Sequence, residues 1–349
     1  MRSNVSVKGF LTPTWILIAV GLVAGGALAL YEWLFGPLFS TANALVWTLP
    51  RITYVFLALM STGVSLVLAY GLLKHDEAIT RDTRALLIMA VGMLLGGFTA
   101  LATDFGSVPN LIRTLLAWNL GSPLWWIVAL YSALPVLLIV KLALDLTGRQ
   151  RVFDLPLAWG TLVIATAAAI TIGAAFGTVI GHPGFHGAFL AIVTLVSALV
   201  SGTAAIVLLR PQSALTKTSE RIFRPTALLL AALLLIRVAY EAHSTVPGMI
   251  GWAGVSMLAP FIIAAALLHL APRLLALLAI VAVLWVQYSF IIAGQLMSLA
   301  PTADGYGGVQ SYRPNLPEIL ILVLGIAVAA ALIKLGDRFL TNDRDQGTP

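Results

Sequence analysis

The sequence predicts an all-α integral membrane protein with about ten transmembrane helices. Three observations predict it: the composition, ten long apolar runs, and basic residues gathered on one side. Of 349 residues, 60% are hydrophobic and 10% charged, against roughly 25% charged in an ordinary soluble domain. Mean hydropathy is +1.00. With 20 basic and 14 acidic residues the chain cannot cover a soluble surface with charge.

A spanning helix needs roughly 20 apolar residues, because each rises ~1.5 Å through a hydrocarbon core of ~30 Å. Runs at 15–35, 52–73, 85–102, 124–144 and 155–176 meet that length, as do 185–209, 226–242, 250–270, 274–294 and 319–335. The first follows Arg2 and Lys8, as a secretory signal would. Its run is longer than a signal core and no cleavage pattern follows Glu32 and Trp33, so a retained helix is expected. Only Ala271, Pro272 and Arg273 part the eighth from the ninth, which predicts a tight hairpin. After the tenth, 336–349 reads as a short cytoplasmic tail. The runs are continuously apolar rather than alternating, which excludes a closed barrel.

Basic residues orient these spans. With a cytoplasmic N-terminus and ten crossings, 16 of the 20 Lys and Arg fall on inner segments or inner helix ends. Arg51, Arg113 and Arg313 fall outside, and Arg237 lies within a span. The expectation is a multi-pass protein of the inner (cytoplasmic) membrane with both termini cytoplasmic. The formal charge of +6 is thus a topological signature, and it implies a lipid bilayer as partner and no nucleic acid.

Inner connections are short and charged. The outer connections 104–123 and 295–318 are longer, rich in Gly, Pro, Asn and aromatics, and read as irregular backbone suited to binding. At the inner end of the fourth span, Lys141 and Asp145 are four apart and read as a solvated helix terminus. A faint repeat relates Ala58-Leu59-Met60-Ser61-Thr62-Gly63 of span two to Ala198-Leu199-Val200-Ser201-Gly202-Thr203 of span six. Close helix packing by small residues explains it; a parallel duplication of spans two to five in spans six to nine also would. The chain is expected to be a single transmembrane domain, 1–349, with 52–145 and 155–294 holding the two halves of any repeat.

Ionisable groups inside spans are costly and mark function. Glu32, Asp104, Arg237, Glu241 and Glu318 all fall in the outer half or at the outer boundary, joined by His243 and Gln295. Arg237 and Glu241, four apart, share a helix face. Together these residues suggest a polar cavity opening outward, fit for a proton-exchanging ligand or an ion. The five histidines offer no pair at matching depth, so no heme is expected. The absence of cysteine excludes a cysteine-ligated iron–sulfur cluster, a thiolate zinc site or a disulfide in this chain. His182 and His186 read as an ordinary loop, so no metal site is expected.

Several segments together resemble the NrfD/PsrC family, the membrane subunits of polysulfide reductase-type respiratory molybdopterin and iron–sulfur oxidoreductases. One is Tyr54 to Gly63. Another is Asp104-Phe105-Gly106-Ser107-Val108-Pro109, followed by Asn119-Leu120-Gly121-Ser122-Pro123. The third is Gln295, then Tyr312-Arg313-Pro314-Asn315-Leu316-Pro317-Glu318. Ser107 stands where the family has Arg. The resemblance implies two four-helix bundles, spans 2–5 and 6–9, plus two flanking helices. It implies a quinone (menaquinone or ubiquinone) bound by Asp104, Asn119, Gln295 and Tyr312, and a proton pathway through Glu32, Arg237, Glu241, His243 and Glu318. An iron–sulfur electron-transfer subunit would dock on the outer face, with a molybdopterin catalytic subunit in the same complex. The alternative from the residues alone is a secondary transporter with a charged outward-facing cavity.

Overall fold

The computed structural model describes residues 12–35, 47–104, 108–148, 150–179, 187–210, 213–243, 272–296 and 312–341. Among them the regular structure is entirely helical. The elements are α1 (Pro13–Phe35), α2 (Leu49–Lys74), α3 (Glu77–Arg81), α4 (Thr83–Asp104), α5 (Val108–Leu116) and α6 (Pro123–Leu146). They continue with α7 (Gln150–Gly177), α8 (Phe189–Leu209), α9 (Ala214–His243), α10 (Pro272–Leu296) and α11 (Leu316–Gly336), which runs into a π-helical turn, Asp337–Thr341. Nine of these helices are long and apolar enough to cross a membrane. The chain is a multi-pass, all-α membrane protein, and the nine follow the expected order. The eighth expected span, 250–270, lies outside the described residues.

α2 is the axis of the molecule. Every residue from 52 to 69 is buried, because the helix packs on α4, α7, α8, α10 and α11. A helix that is apolar on all sides belongs in such a centre. Its serine and threonine hydroxyls are satisfied by backbone carbonyls, as hydrocarbon requires. Thr62 Oγ1 donates to the Ala58 carbonyl at 2.8 Å and Ser65 Oγ to Ser61 at 2.8 Å. Ser61 Oγ reaches across to Ala90 of α4 at 2.7 Å. α2, α4, α6 and α7 close a four-membered ring, each packed on the next. α8 joins this ring through α2 and α7 and carries α9 and α10, while α11 lies on α4 with α1 outside it.

The two segments of the faint repeat face each other where α2 crosses α8. A Cβ on Gly63 would collide with the Ala198 carbonyl, and one on Gly202 would collide with the Gly63 and Val64 backbone. The small residues therefore allow backbone-to-backbone contact. A similar approach seats α1 on α11, where a Cβ at Gly25 would come within 2.6 Å of Leu324 Cβ.

Two expectations need correction. The connection 104–123 is not wholly irregular: α5 occupies 108–116, with Val108, Leu111, Ile112, Leu115 and Leu116 at helical spacing. Trp125 of α6 fastens it by donating Nε1–H to the Leu115 carbonyl at 2.9 Å. Lys141 and Asp145 are not a solvated pair either; both are 3% exposed. Lys141 pairs instead with Asp154 of α7, and Asp145 with Arg84 of α4. Buried charges need close partners, and packed neighbouring helices supply them better than water at a helix end.

The N-terminal end of α2 marks the upper face of the molecule, the side expected to be outer. Three ion pairs among the described residues lie on the lower face. There Arg84 also donates to the Leu340 carbonyl at 3.4 Å, and Arg210 pairs with Asp337, so the final turn is tied to α4 and α8.

Candidate functional site at the upper face

Three of the expected site residues meet around the first turn of α2. That turn begins at Leu49 after Thr48, an N-cap whose side chain makes no capping hydrogen bond. The first N–H groups of a helix have no partner within it, and here distant side chains provide them. Gln295, in the last turn of α10, brackets Trp47: its Oε1 accepts the Trp47 N–H at 2.7 Å and its Nε2 donates to the Trp47 carbonyl at 2.9 Å. Tyr312 Oη accepts the Leu49 N–H at 3.0 Å. The same hydroxyl donates to Glu318 Oε2 at 2.7 Å.

Glu318 is fully buried, at 0% exposure. A capping box holds it at the start of α11. Asn315 Oδ1 accepts the Glu318 N–H at 2.9 Å, and Glu318 Oε2 accepts the Asn315 N–H at 2.9 Å. The sequence encodes this as Asn315-Leu316-Pro317-Glu318, with Pro near the helix start and an acid three residues after the cap. The helix N-terminus favours negative charge at that spot. Burial and then the bond to Glu318 raise the Tyr312 hydroxyl well above its ordinary value of 10.0, against a smaller opposite pull from the Leu49 N–H. Tyr312 thus stays a proton donor aimed at a buried carboxyl.

An aromatic row runs from this site between the first ring and the later helices. The Arg51 guanidinium sits 5.9 Å from the Trp47 ring. Trp47 meets Phe176 edge-on at 4.9 Å, and Phe176 meets Phe290 at 5.7 Å. Arg237 closes the row over Phe290 at 5.1 Å. Geometries of this kind contribute about 0.5–1.5 kcal/mol per pair. Arg237 therefore belongs to the upper face and packs on α10 across the aromatic row. A second series rises along α10: Trp285 stacks on Tyr288 at 5.6 Å, and Tyr288 lies 6.2 Å from Tyr312.

The other expected residues are placed as follows. Glu32 is buried on α1 at 8% exposure. It lies one turn above Leu28 and Ala29, which pack beside Ile321, while Glu318 lies one turn above Ile321. Asn119 is exposed in the link between α5 and α6. Asp104 ends α4, and Glu241 and His243 fall in the last turn of α9; their side chains lie outside the described residues.

Gln287 is a polar residue that the span pattern alone does not single out. It lies mid-helix in α10, is 5% exposed, and neither its Oε1 nor its Nε2 has a hydrogen-bond partner among the described residues. An unpaired buried amide costs about 1–3 kcal/mol by protein measurements and more in hydrocarbon. The available signal was a lone amide within the apolar run 274–294.

Neither a scan against protein-family models nor a search of curated proteins finds a match to this chain. Among solved structures, the chain is similar to the bd oxidase from Geobacillus thermodenitrificans at 14% identity, over 94% of this chain and 100% of that one, with a TM-score of 0.48.

Proposed function

We propose that this chain is the quinone-interacting membrane subunit of a multi-subunit respiratory oxidoreductase of the inner membrane. It exchanges electrons between the quinone pool and an iron–sulfur partner docked on the upper face, with a molybdopterin catalytic subunit beyond it. The observation that carries the reading is the hydrogen bond from half-buried Tyr312 to fully buried Glu318. Reduction or oxidation of a quinone moves two electrons together with two protons, so its headgroup needs a donor and an acceptor that trade protons near one membrane surface. Tyr312 and Glu318 supply such a pair, and the Leu49 and Asn315 N–H groups fix both in place.

Within this reading Tyr312 faces the headgroup and Glu318 takes up or releases the proton behind it. Gln295 positions the first turn of α2, because both of its amide atoms are engaged by Trp47. Asp104 and Asn119 enter as headgroup ligands on the family resemblance. Glu32, Arg237, Glu241 and His243 complete the polar route. Without cysteine the chain holds no cysteine-ligated cluster of its own, which is why the electrons pass to a partner. The transporter alternative calls for helices broken near the middle of the membrane; among the described residues the nine spans run unbroken.

Glu318→Gln keeps the volume and removes the titration. In the assembled complex it is expected to lower quinone-linked turnover about tenfold or more while the subunits still copurify. Unchanged turnover in that variant removes Glu318 from the mechanism.

A further inference from the structure

The geometry points to Gln287 as a headgroup-binding residue, a polar contact for the quinone within the hydrocarbon depth of α10. This inference rests on the quinone reading. Its observation is separate: a side chain 5% exposed whose donor and acceptor both lack partners among the described residues. Several buried polar side chains near it are served, whereas Thr48 Oγ1 at the start of α2 also lacks a partner among the described residues. Ser61 and Thr62 bond to backbone carbonyls, and Gln295, two turns above, holds Trp47. Gln287 and Gln295 lie about 12 Å apart along the helix at ~1.5 Å per residue, so Gln287 marks a position deeper than the first turn of α2.

The chemistry of the amide narrows the ligand. A quinone offers two carbonyl acceptors, and its reduced form offers two hydroxyl donors. An amide donates through Nε2 and accepts through Oε1 without changing its own protonation, so one side chain holds both redox forms. A carboxyl would need to titrate between them. Depth agrees as well, since a headgroup held below the surface leaves its apolar tail in lipid. The adjoining flank of α10 links this depth to the proton-exchanging pair. Trp285, exposed on the lipid-facing side, stacks on Tyr288, whose ring approaches Tyr312. A planar ring entering from the bilayer meets flat aromatic surfaces on the way.

The test uses the purified full-length chain in lipid nanodiscs with a short-tailed menaquinone carrying 13C carbonyls. Affinity is read from tryptophan quenching and hydrogen bonding from the infrared carbonyl band. Gln287→Leu, with Gln287→Met as a second apolar variant of similar length, is expected to weaken binding about tenfold. The hydrogen-bonded shift of one of the two carbonyls should be lost, the other being held from Tyr312, while thermal stability without quinone is kept or raised. Quinone binding that is unchanged in both Gln287 variants, or carbonyl bands identical to those of the unsubstituted chain, overturns this inference alone and leaves a buried water as the partner of the amide. Absence of quinone binding by the unsubstituted chain overturns this inference and the proposed function together.

Discussion

Tyr312 does two things with one hydroxyl: it caps α2 by accepting the Leu49 N–H and donates to the buried Glu318. Tyr312→Phe removes both bonds, so unfolding in detergent should show a loss of about 1–3 kcal/mol. The pH dependence follows from the raised hydroxyl. In the unfolded chain Tyr312 loses its proton near 10.0, whereas in the folded chain it holds it to higher pH. The resulting stability is complete below pH 10.0 and is lost as pH rises above that value. Wild-type stability should therefore fall more steeply above pH 10 than that of Tyr312→Phe; parallel curves would mean the hydroxyl is not held this way. At this scale the sequence was informative but incomplete. Gln295, Tyr312 and Glu318 stood out because polar groups at a span boundary are few. Their use of the Trp47 and Leu49 backbone was not visible, because contacts 263 and 248 residues apart leave no local pattern. Gln287 is not legible in the same way, because it lies inside an apolar run rather than at a span boundary and carries no charge to mark it there.

Among the helices, glycine placement decides which contacts are tight. Gly63 lies where α2 meets the Ala198 carbonyl of α8, so even one methyl has no room. Gly63→Ala should lower stability by about 1–3 kcal/mol or more. A methyl added at Gly26 on α1 would meet nothing within 4 Å, so Gly26→Ala should change stability by no more than about 1 kcal/mol, toward greater stability. Thermal melting of the two variants side by side checks the contrast, and equal effects would argue against the crossing. The spans were legible because apolar runs of about 20 residues have few other uses. α5 is harder to read although its apolar residues recur at three- and four-residue intervals, since Gly, Pro and Asn around it suggest irregular backbone. The Lys141 and Asp145 spacing suggested a pair; the helices actually present each residue to a different partner, Asp154 and Arg84. Spacing along one helix says nothing about which neighbour packs against it.

For the whole molecule, the natural absence of cysteine makes topology directly testable. Thr80→Cys in α3 and Thr114→Cys in α5 lie at opposite faces. In intact cells an impermeant thiol reagent should label position 114 and spare position 80 until the membrane is opened. The reverse pattern would invert the assignment of sides drawn from the basic residues. On the lower face, the Arg84 and Arg210 contacts tie the last turn to two different helices, leaving the upper face to carry the polar site.

The central claim is that electrons pass between quinone and a partner through this subunit. The most direct measurement is mild purification of the tagged chain from its own membranes, followed by addition of quinol and electron paramagnetic resonance. The account predicts a copurifying iron–sulfur protein whose clusters are reduced by the quinol. A chain that purifies without any iron–sulfur protein and drives solute uptake into vesicles would contradict it.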